Sequence, residues 1–263
     1  MAAPSSPPSV SSRRDAATPL RPHPPLTRYY RSEQERRQRL ARWFDATAPA
    51  YDWMTQLLSF GSGRWYRRQA LERAGLAAGM RVLDVACGTG ISTQPARGLA
   101  GDGAPVIGLD PSFGMLRQSR QRDGGLVTRA VAEALPFADQ SFDFLAMGFA
   151  LRHVPDLRQT FREFHRVLRP GGRLLILEIT PPPSRLAGGC LKLYLRHLVP
   201  LAVRLGRGGR HRQELLEYYW DTIEGCVPPA TILGELAAAG FAQPERHAEL
   251  GIFSEYRARL QGD

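Results

Sequence analysis

The chain has 263 residues, of which 43% are hydrophobic and 23% are charged, the balance of a globular protein with a sizeable core. Its three cysteines, Cys87, Cys190 and Cys226, form no C-x-x-C pair and have no histidine cluster nearby, which excludes a disulfide framework and a zinc site, and we expect no metal. Neither an uninterrupted apolar run of membrane-spanning length nor the apolar segment of a secretory signal is present. We therefore expect a cytoplasmic protein.

The net charge of +10 is unevenly distributed. Residues 1–42 carry nine arginines and three acidic residues, whereas the rest of the chain carries 26 basic and 22 acidic residues. The basic N-terminus leaves nucleic-acid binding as an alternative. Basic and aromatic residues do not alternate along the rest of the chain, so we expect no nucleic-acid partner.

The N-terminus has the composition of a flexible tail. Seven prolines lie in residues 1–26, with little apolar surface that could offset the entropy of ordering. We predict a disordered tail over residues 1–31 and one domain over residues 32–263. The helical spacing of Leu40, Trp43 and Phe44 predicts N-terminal helices within residues 32–78.

From residue 81 onward, short apolar runs alternate with segments of helical spacing. The predicted strands are residues 81–86, 105–110, 126–131, 142–149 and 173–180, and the predicted helices between them are residues 93–100, 112–122 and 156–168. Continuous apolar runs indicate burial on both faces, which is typical of a parallel sheet. We predict a doubly wound, Rossmann-like α/β domain with a mostly parallel sheet. A helical region over residues 181–240 and a C-terminal antiparallel hairpin within residues 243–260 complete a seven-stranded sheet.

A glycine-containing loop follows the first predicted strand. Gly88 and Gly90 allow a sharp turn and a close approach to a ligand. Asp110 closes the second strand, where a carboxylate can accept hydrogen bonds from ribose hydroxyls. This combination predicts an adenosine-type cofactor. Thr93 stands where a dinucleotide loop has its third glycine, which disfavours a pyrophosphate.

Several motifs in a fixed order resemble the class I S-adenosylmethionine methyltransferases, most closely the ubiquinone/menaquinone C-methyltransferase family. The resemblance covers about residues 43–240 and rests, beyond the loop, on the segments 132–137, 141–143, 149–154 and 166–173, on Phe44-Asp45, Tyr51-Asp52 and Ser59-Phe60-Gly61, and on residues 218–223. It implies S-adenosyl-L-methionine as the cofactor. It also implies that residues 32–78 form a lid and residues 181–240 a substrate cap.

The resemblance assigns cofactor contacts to individual positions. Asp84, Gly88, Thr89 and Gly90 would hold the methionine end, Asp110 the ribose, and Tyr51 would lie over the cofactor from the lid. Val131 stands where the family has Asn or Asp, so the backbone of Ala132 would have to hold the adenine. Gly148 replaces a family serine. These two departures predict a weaker or rearranged cofactor site.

The family's Leu-Arg-Asn motif corresponds to Leu151-Arg152-His153. Arg152 would stabilise a phenolate or a water molecule. His153 replaces the asparagine, and a neutral imidazole can accept a phenol proton, which asparagine cannot. The two are the predicted catalytic residues. The alternative interpretations are an ion-pairing role for Arg152 and a histidine that only lines the cleft.

The resemblance implies methylation of a carbon atom of a small aromatic, quinol-like acceptor. O- or N-methylation of another small molecule is the alternative, because Val131, Gly148 and His153 all depart from the family pattern. Residues 191–205 combine leucines with interspersed cations, a pattern that fits contact with a membrane surface, an apolar substrate channel or packing within the domain. A lipid-tailed acceptor and peripheral membrane contact are expectations that depend on this segment.

Overall fold

The computed structural model describes residues 18–59, 61–201 and 210–262. Within them, seven strands form one sheet in the order β3-β2-β1-β4-β5-β7-β6. The strands are β1 (Val82–Val85), β2 (Val106–Leu109), β3 (Leu126–Thr128), β4 (Phe142–Gly148), β5 (Leu168–Ile179), β6 (Ala242–Glu249) and β7 (Phe253–Arg259). The first five strands pair in parallel, and β7 runs antiparallel to β5 and β6. The predicted fold is confirmed.

Helices lie before, between and after the strands. They are α1 (Glu33–Thr47), α2 (Tyr51–Leu58), α3 (Gly63–Arg73), α4 (Thr93–Ala100), α5 (Phe113–Asp123), α6 (Leu157–Val167), α7 (Arg185–Leu193), α8 (Arg210–Glu224) and α9 (Pro229–Ala238). A π-helical turn, Tyr194–Leu198, follows α7. None of the described helices has the length and hydrophobicity needed to cross a bilayer.

The sheet is buried on both faces. On one face, Leu83 and Leu145 of the central strands pack with Phe161 and Phe164 of α6. On the other face, Val82, Phe144 and Leu175 pack with residues of α3 and α4. Because neighbouring side chains along a strand point to opposite faces, the continuous apolar runs of the sequence supply both cores. The parallel strands therefore end at one edge of the sheet, where the loops that follow them meet.

Residues 20–30, here called the N-terminal strap, lie against the domain, which corrects the predicted tail boundary at residue 31. Leu20 O accepts a hydrogen bond from Leu157 N (2.9 Å), and Pro22 O accepts one from Val227 N (2.7 Å). Tyr29 and Tyr30 are buried. The proline content had suggested disorder. The segment is ordered because its proline-rich backbone still offers carbonyl acceptors and the two tyrosines supply apolar surface. Residues 1–17 lie outside the described residues.

Some predicted boundaries also differ from the structure. Strand β3 ends at Thr128, short of the predicted residue 131, because Val131 forms a separate bridge with Ala134. Strand β5 begins at Leu168 because Leu168 pairs with Phe142 across an irregularity in the register. The predicted helical region over residues 181–240 contains α7 followed by the π turn, and residues 202–209 lie outside the described range.

The fully buried ring of Phe164 allows a test of the core. We expect Phe164→Ala to lower the free energy of unfolding by about 3–5 kcal/mol, because it removes a large apolar side chain and leaves a cavity. Urea denaturation measures the change. The matched control is Phe113→Ala, since the Phe113 side chain is largely exposed and its loss should cost less than about 1 kcal/mol. Equal losses for the two variants would contradict the described packing.

Candidate active site

The loop after β1 turns through three residues with left-handed backbone. Ala86 has a φ of 55°, Gly88 of 56° and Gly90 of 83°. A Cβ atom on Gly90 would lie 2.8 Å from Ser119 Oγ, so this position requires glycine both for its conformation and for its close approach to α5. The loop brings backbone N–H groups to the sheet edge at the start of α4.

The buried carboxylate of Asp110 joins the ends of β1 and β2. Its Oδ2 accepts a hydrogen bond from Gly88 N (2.9 Å), and its Oδ1 accepts one from Ser112 N (2.8 Å). Burial raises the Asp110 pKa to about 6, although the two N–H donors oppose the shift. The group is therefore largely ionised at pH 7. Each carboxylate oxygen keeps acceptor capacity for a hydroxyl group of a ligand.

Two neighbouring cavities open at this edge of the sheet. The small cavity, of about 120 Å³, is lined by Asp110, Val131, Ala132 and His153 among others. The large cavity, of about 390 Å³, is lined mainly by apolar side chains and by Arg152. Five residues line both cavities: Tyr51, Ala86, Gly88, Gly148 and Phe149. A ligand held at Asp110 can therefore extend past Gly88 toward the large cavity.

Helices α1 and α2, which belong to the predicted lid, are joined to the loops by two carboxylates. Asp45 of α1 accepts hydrogen bonds from Ser112 Oγ (2.6 Å) and Gly114 N (2.8 Å). Asp52 of α2 accepts one from Thr89 Oγ1 (2.5 Å) and forms an ion pair with Arg122. We call these contacts of Asp45 and Asp52 the lid clasp. They hold α1 and α2 over the ends of β1 and β2.

Tyr51 stands where the two cavities meet. Tyr219 of α8 donates a hydrogen bond from its hydroxyl to the Tyr51 hydroxyl (3.3 Å). Burial raises the pKa of Tyr219 well above its ordinary value, so its hydroxyl keeps its proton at neutral pH. The position of Tyr51 over the cofactor stays a prediction.

Arg152 forms a buried ion pair with Glu178 at the end of β5. Arg152 Nη1 lies 2.6 Å from Glu178 Oε2, and Arg152 N donates to Glu178 Oε1 (3.3 Å). Both side chains are at least 96% buried. The guanidinium carbon lies 5.2 Å from the ring centre of Tyr219, and Arg152 Nε has no protein partner. The ion pair therefore fixes a cation at the wall of the large cavity.

His153 lines the small cavity rather than the large one. Its ring stacks on Tyr218 at 5.6 Å, and its Nδ1 is buried without a hydrogen-bond partner. Burial, with the positive charges of Arg152 and Arg36, lowers the His153 pKa well below its ordinary value. The imidazole is neutral at pH 7 and has a free lone pair, but the same surroundings oppose its taking up a proton.

The remaining predicted cofactor residues differ in how they reach the cavities. Asp84 is fully buried beneath the loop and lines neither cavity; its Oδ2 accepts a hydrogen bond from Thr93 (2.6 Å), and burial raises its pKa to about 7. At Gly148, a Cβ atom would lie 3.0 Å from Ser92 Oγ. The Ser92 hydroxyl thus stands beside the position where the family has its serine.

Sequence reasoning did not assign a role to Phe149 or Arg67, which both line the large cavity. Phe149 follows β4 with a φ of 60°, and Arg67 of α3 lies with its guanidinium carbon 4.7 Å from the Phe149 ring centre. No sequence signal marked Arg67, because arginine also stands at positions 64 and 68 of the same helix. The left-handed backbone of a non-glycine residue is likewise invisible in sequence.

Comparison with known proteins identifies the family. Residues 32–251 match the sequence pattern of the ubiE/COQ5 methyltransferase family. The chain belongs to this family. It is an S-adenosylmethionine-dependent methyltransferase.

Similar proteins extend over most of this methyltransferase. A demethylmenaquinone methyltransferase of Mycobacterium sp. (strain KMS) is 37% identical over 206 residues, which cover 78% of this chain and 86% of that protein. A ubiquinone/menaquinone biosynthesis C-methyltransferase UbiE of Shewanella sediminis is 36% identical over 219 residues, which cover 81% of this chain and 86% of that protein.

Solved structures agree on the fold. A SAM-dependent methyltransferase of Thermotoga maritima has a TM-score of 0.59 at 20% identity and covers 84% of this chain and 99% of its own. A phosphoethanolamine N-methyltransferase 2 of Haemonchus contortus in complex with S-adenosyl-L-methionine has a TM-score of 0.59 at 17% identity and covers 82% of this chain and 57% of its own.

Replacing the Asp110 carboxylate tests the ribose assignment. We expect Asp110→Asn to raise the Kd for S-adenosylmethionine about 10- to 100-fold, because a charged acceptor is replaced by an amide with only one acceptor oxygen. Isothermal titration calorimetry measures the change. Asp102→Asn, which changes the charge of an exposed carboxylate in the α4–β2 connection, is the control. An unaltered Kd in Asp110→Asn would remove the ribose assignment.

The same carboxylate predicts a pH dependence. Because the Asp110 pKa is about 6, lowering the pH through that value protonates the group and removes acceptor capacity, and we expect the Kd for the cofactor to rise. Calorimetry between pH 5 and 8, in a range where the protein is shown to stay folded, checks this. In Asp110→Asn the dependence should disappear, and its persistence would assign it to another group.

Proposed function

We propose that the protein transfers a methyl group from S-adenosylmethionine to a ring carbon of a small aromatic, quinol-like acceptor. The observation that carries the proposal is the large apolar cavity. It meets the small cavity at Tyr51 and Gly148 and has the Arg152 cation in its wall. The relatives that match most of the chain support the acceptor class, because they are named for quinone biosynthesis and, in the UbiE proteins, for C-methylation.

The bound cofactor supplies an electrophilic methyl group on a sulfonium sulfur. The chain's own contribution is position and electrostatics. Asp110 and the loop around Gly88 would orient the cofactor, while Tyr51 and Gly148 would leave an opening between the two cavities. An acceptor in the large cavity would then present a ring carbon through that opening. The lid over the loops keeps bulk water away from the reacting atoms.

Arg152 is proposed to stabilise the negative charge of the acceptor. Ionisation of a phenolic hydroxyl makes the ring carbon beside it a stronger nucleophile, and a guanidinium next to the oxygen favours the ionised form. Glu178 holds Arg152 in place through its side chain and backbone. Glu178 is thereby a positioning residue for Arg152.

His153 is proposed to accept a hydrogen bond from a water molecule in the small cavity. Its Nδ1 lacks a protein partner, and its ring lies 5.7 Å from that of Tyr219. The nearby arginines disfavour the protonated imidazole. This supports a hydrogen-bonding role for His153. The replacement of the family asparagine by histidine had instead suggested a base that accepts a proton.

The reaction itself is tested with labelled cofactor. We expect incubation of the protein with methyl-¹³C S-adenosylmethionine and a demethyl-quinol to give a product whose label is attached to a ring carbon, as located by NMR. Label on oxygen, or transfer only to an amine offered in parallel, would overturn the proposal. A sample without the acceptor is the control for unproductive cofactor breakdown.

Variants of Arg152 and His153 separate their roles. We expect Arg152→Gln to lower kcat by about 10²–10³, the usual cost of removing a group that stabilises transition-state charge. His153→Asn, which keeps a hydrogen-bond acceptor but cannot take up a proton, should stay within about fivefold of the wild type, whereas His153→Ala should lose more. If the Asn variant is as impaired as the Ala variant and the acidic limb of the pH profile disappears, His153 is the base.

We further propose that the acceptor carries an apolar tail. The large cavity reaches the surface at Trp65 and Leu250, whose side chains are 66% and 77% exposed although both line the cavity. Such a rim suits a hydrocarbon chain that continues beyond the ring. Acceptors with tails of increasing length should show a falling KM with little change in kcat, and a KM independent of tail length would contradict the proposal.

Contact with a membrane surface is part of the same proposal. Leu186, Leu193, Leu198 and Leu201 are more than half exposed on α7 and the segment that follows it, and cations stand among them in the sequence. Exposed leucines among cations suit an anionic lipid surface. Flotation with vesicles containing anionic lipid, compared with neutral vesicles, checks this contact, and equal recovery with both vesicle types would count against it.

A further inference from the structure

Arg67 of α3 is a buried cation without a counter-ion. Its exposure is 8%, and its Nη1 donates a hydrogen bond to Gly63 O within the same helix (2.9 Å). Its Nε is buried and has no partner. Among the described residues no carboxylate forms an ion pair with it, and burial lowers its pKa. A guanidinium taken out of water normally has an anionic partner.

The carboxylate of Asp84 does not form an ion pair with Arg67. Asp84 acts on Arg67 electrostatically, but its carboxylate lies beneath the loop and is hydrogen-bonded to Thr93 (2.6 Å). Burial also raises the Asp84 pKa to about 7, so its negative charge is incomplete at neutral pH. The charge of Arg67 therefore remains available to a ligand.

The guanidinium is held against the wall of the large cavity. It lies over the ring of Phe149 at 4.7 Å, and Arg67 lines the same cavity as Gly88, Thr89 and Ser92 of the loop. Asp110, by contrast, lines only the small cavity of these two. Arg67 and Asp110 therefore line two different cavities, both of which Gly88 also lines.

We propose that Arg67 binds the α-carboxylate of the amino-acid part of the cofactor. The proposal rests on the cofactor placement in which Asp110 holds the ribose. With the ribose there, the remainder of the molecule extends past Gly88 toward Arg67 and ends in a carboxylate. Guanidinium and carboxylate groups match as planar, two-pronged partners, and the buried setting strengthens their interaction. The proposed acceptor has no carboxylate, and its phenolic oxygen is assigned to Arg152.

Two ligands that differ in this carboxylate provide the test. The Kd of S-adenosylmethionine and that of its decarboxylated analogue are measured by calorimetry for the wild type and for Arg67→Gln. We expect the variant to raise the Kd of S-adenosylmethionine about 10- to 100-fold. The Kd of the decarboxylated analogue should stay within about threefold or fall, because that ligand has no anion to lose and is repelled by the cation.

Two further variants control for fold and charge. Arg68→Gln removes the same charge from the neighbouring position, where the side chain is half exposed and pairs with Glu72, and it should leave both Kd values unchanged. Arg67→Lys keeps the charge but loses the two-pronged geometry. We expect it to weaken S-adenosylmethionine binding less than Arg67→Gln does and to spare the analogue, and it extends the test if the glutamine variant does not fold.

The outcomes are distinct. If Arg67→Gln weakens both ligands equally, Arg67 only maintains the shape of the cavity and the proposal is wrong; if it weakens neither, the carboxylate lies elsewhere and the proposal is also wrong. A separate failure, in which Asp110→Asn leaves the binding of both ligands unchanged, would overturn the cofactor placement itself. Failure of methyl transfer to a quinol with binding intact would concern the acceptor alone.

Discussion

Two backbone N–H groups, of Gly88 and Ser112, converge on the carboxylate of Asp110 and hold together the loops that follow β1 and β2. The rest of the site is arranged around this junction. Ser112 in turn donates its hydroxyl to Asp45 of the lid, and Gly88 lies on the boundary of both cavities. Because parallel strands end at one edge of a sheet, a single buried carboxylate at the end of β2 can organise the first loop and the lid together.

Much of this arrangement was predictable from sequence because it depends on local patterns. The apolar runs of β1, β4 and β5 predicted a sheet buried on both faces, and the loop glycines with Asp110 at the end of the second strand predicted an adenosine-type cofactor. These features follow from strand periodicity and from the chain direction of parallel strands. The C-terminal hairpin was likewise recognisable, because β6 and β7 are adjacent in the chain.

Other features depend on contacts between distant segments. The environment of His153 is made by Arg36 of α1, Tyr218 of α8 and its own neighbour Arg152. Because two of these residues are distant in sequence, no local pattern predicts their combined effect on the imidazole. Arg67 was hidden by composition, since arginine accounts for all but one of the basic residues other than histidine in this chain. The N-terminal strap was missed because its proline content suggested disorder, whereas its ordering comes from hydrogen bonds to Leu157 and Val227.

The contacts of α1 and α2 have a consequence for the entry and exit of ligands. Their contacts with the loops include the polar bonds of the lid clasp and those of Arg36 with the carbonyls of His153 and Val154, which water can replace. Trp43 and Met54, by contrast, share an apolar cluster with Leu215 and Tyr218 of α8. Water replaces the polar bonds at a small cost in free energy, whereas exposing the apolar cluster to water costs much more. Helices α1, α2 and α8 should therefore move together when the polar contacts break. The small and the large cavity would then open to solvent, and close, in the same movement.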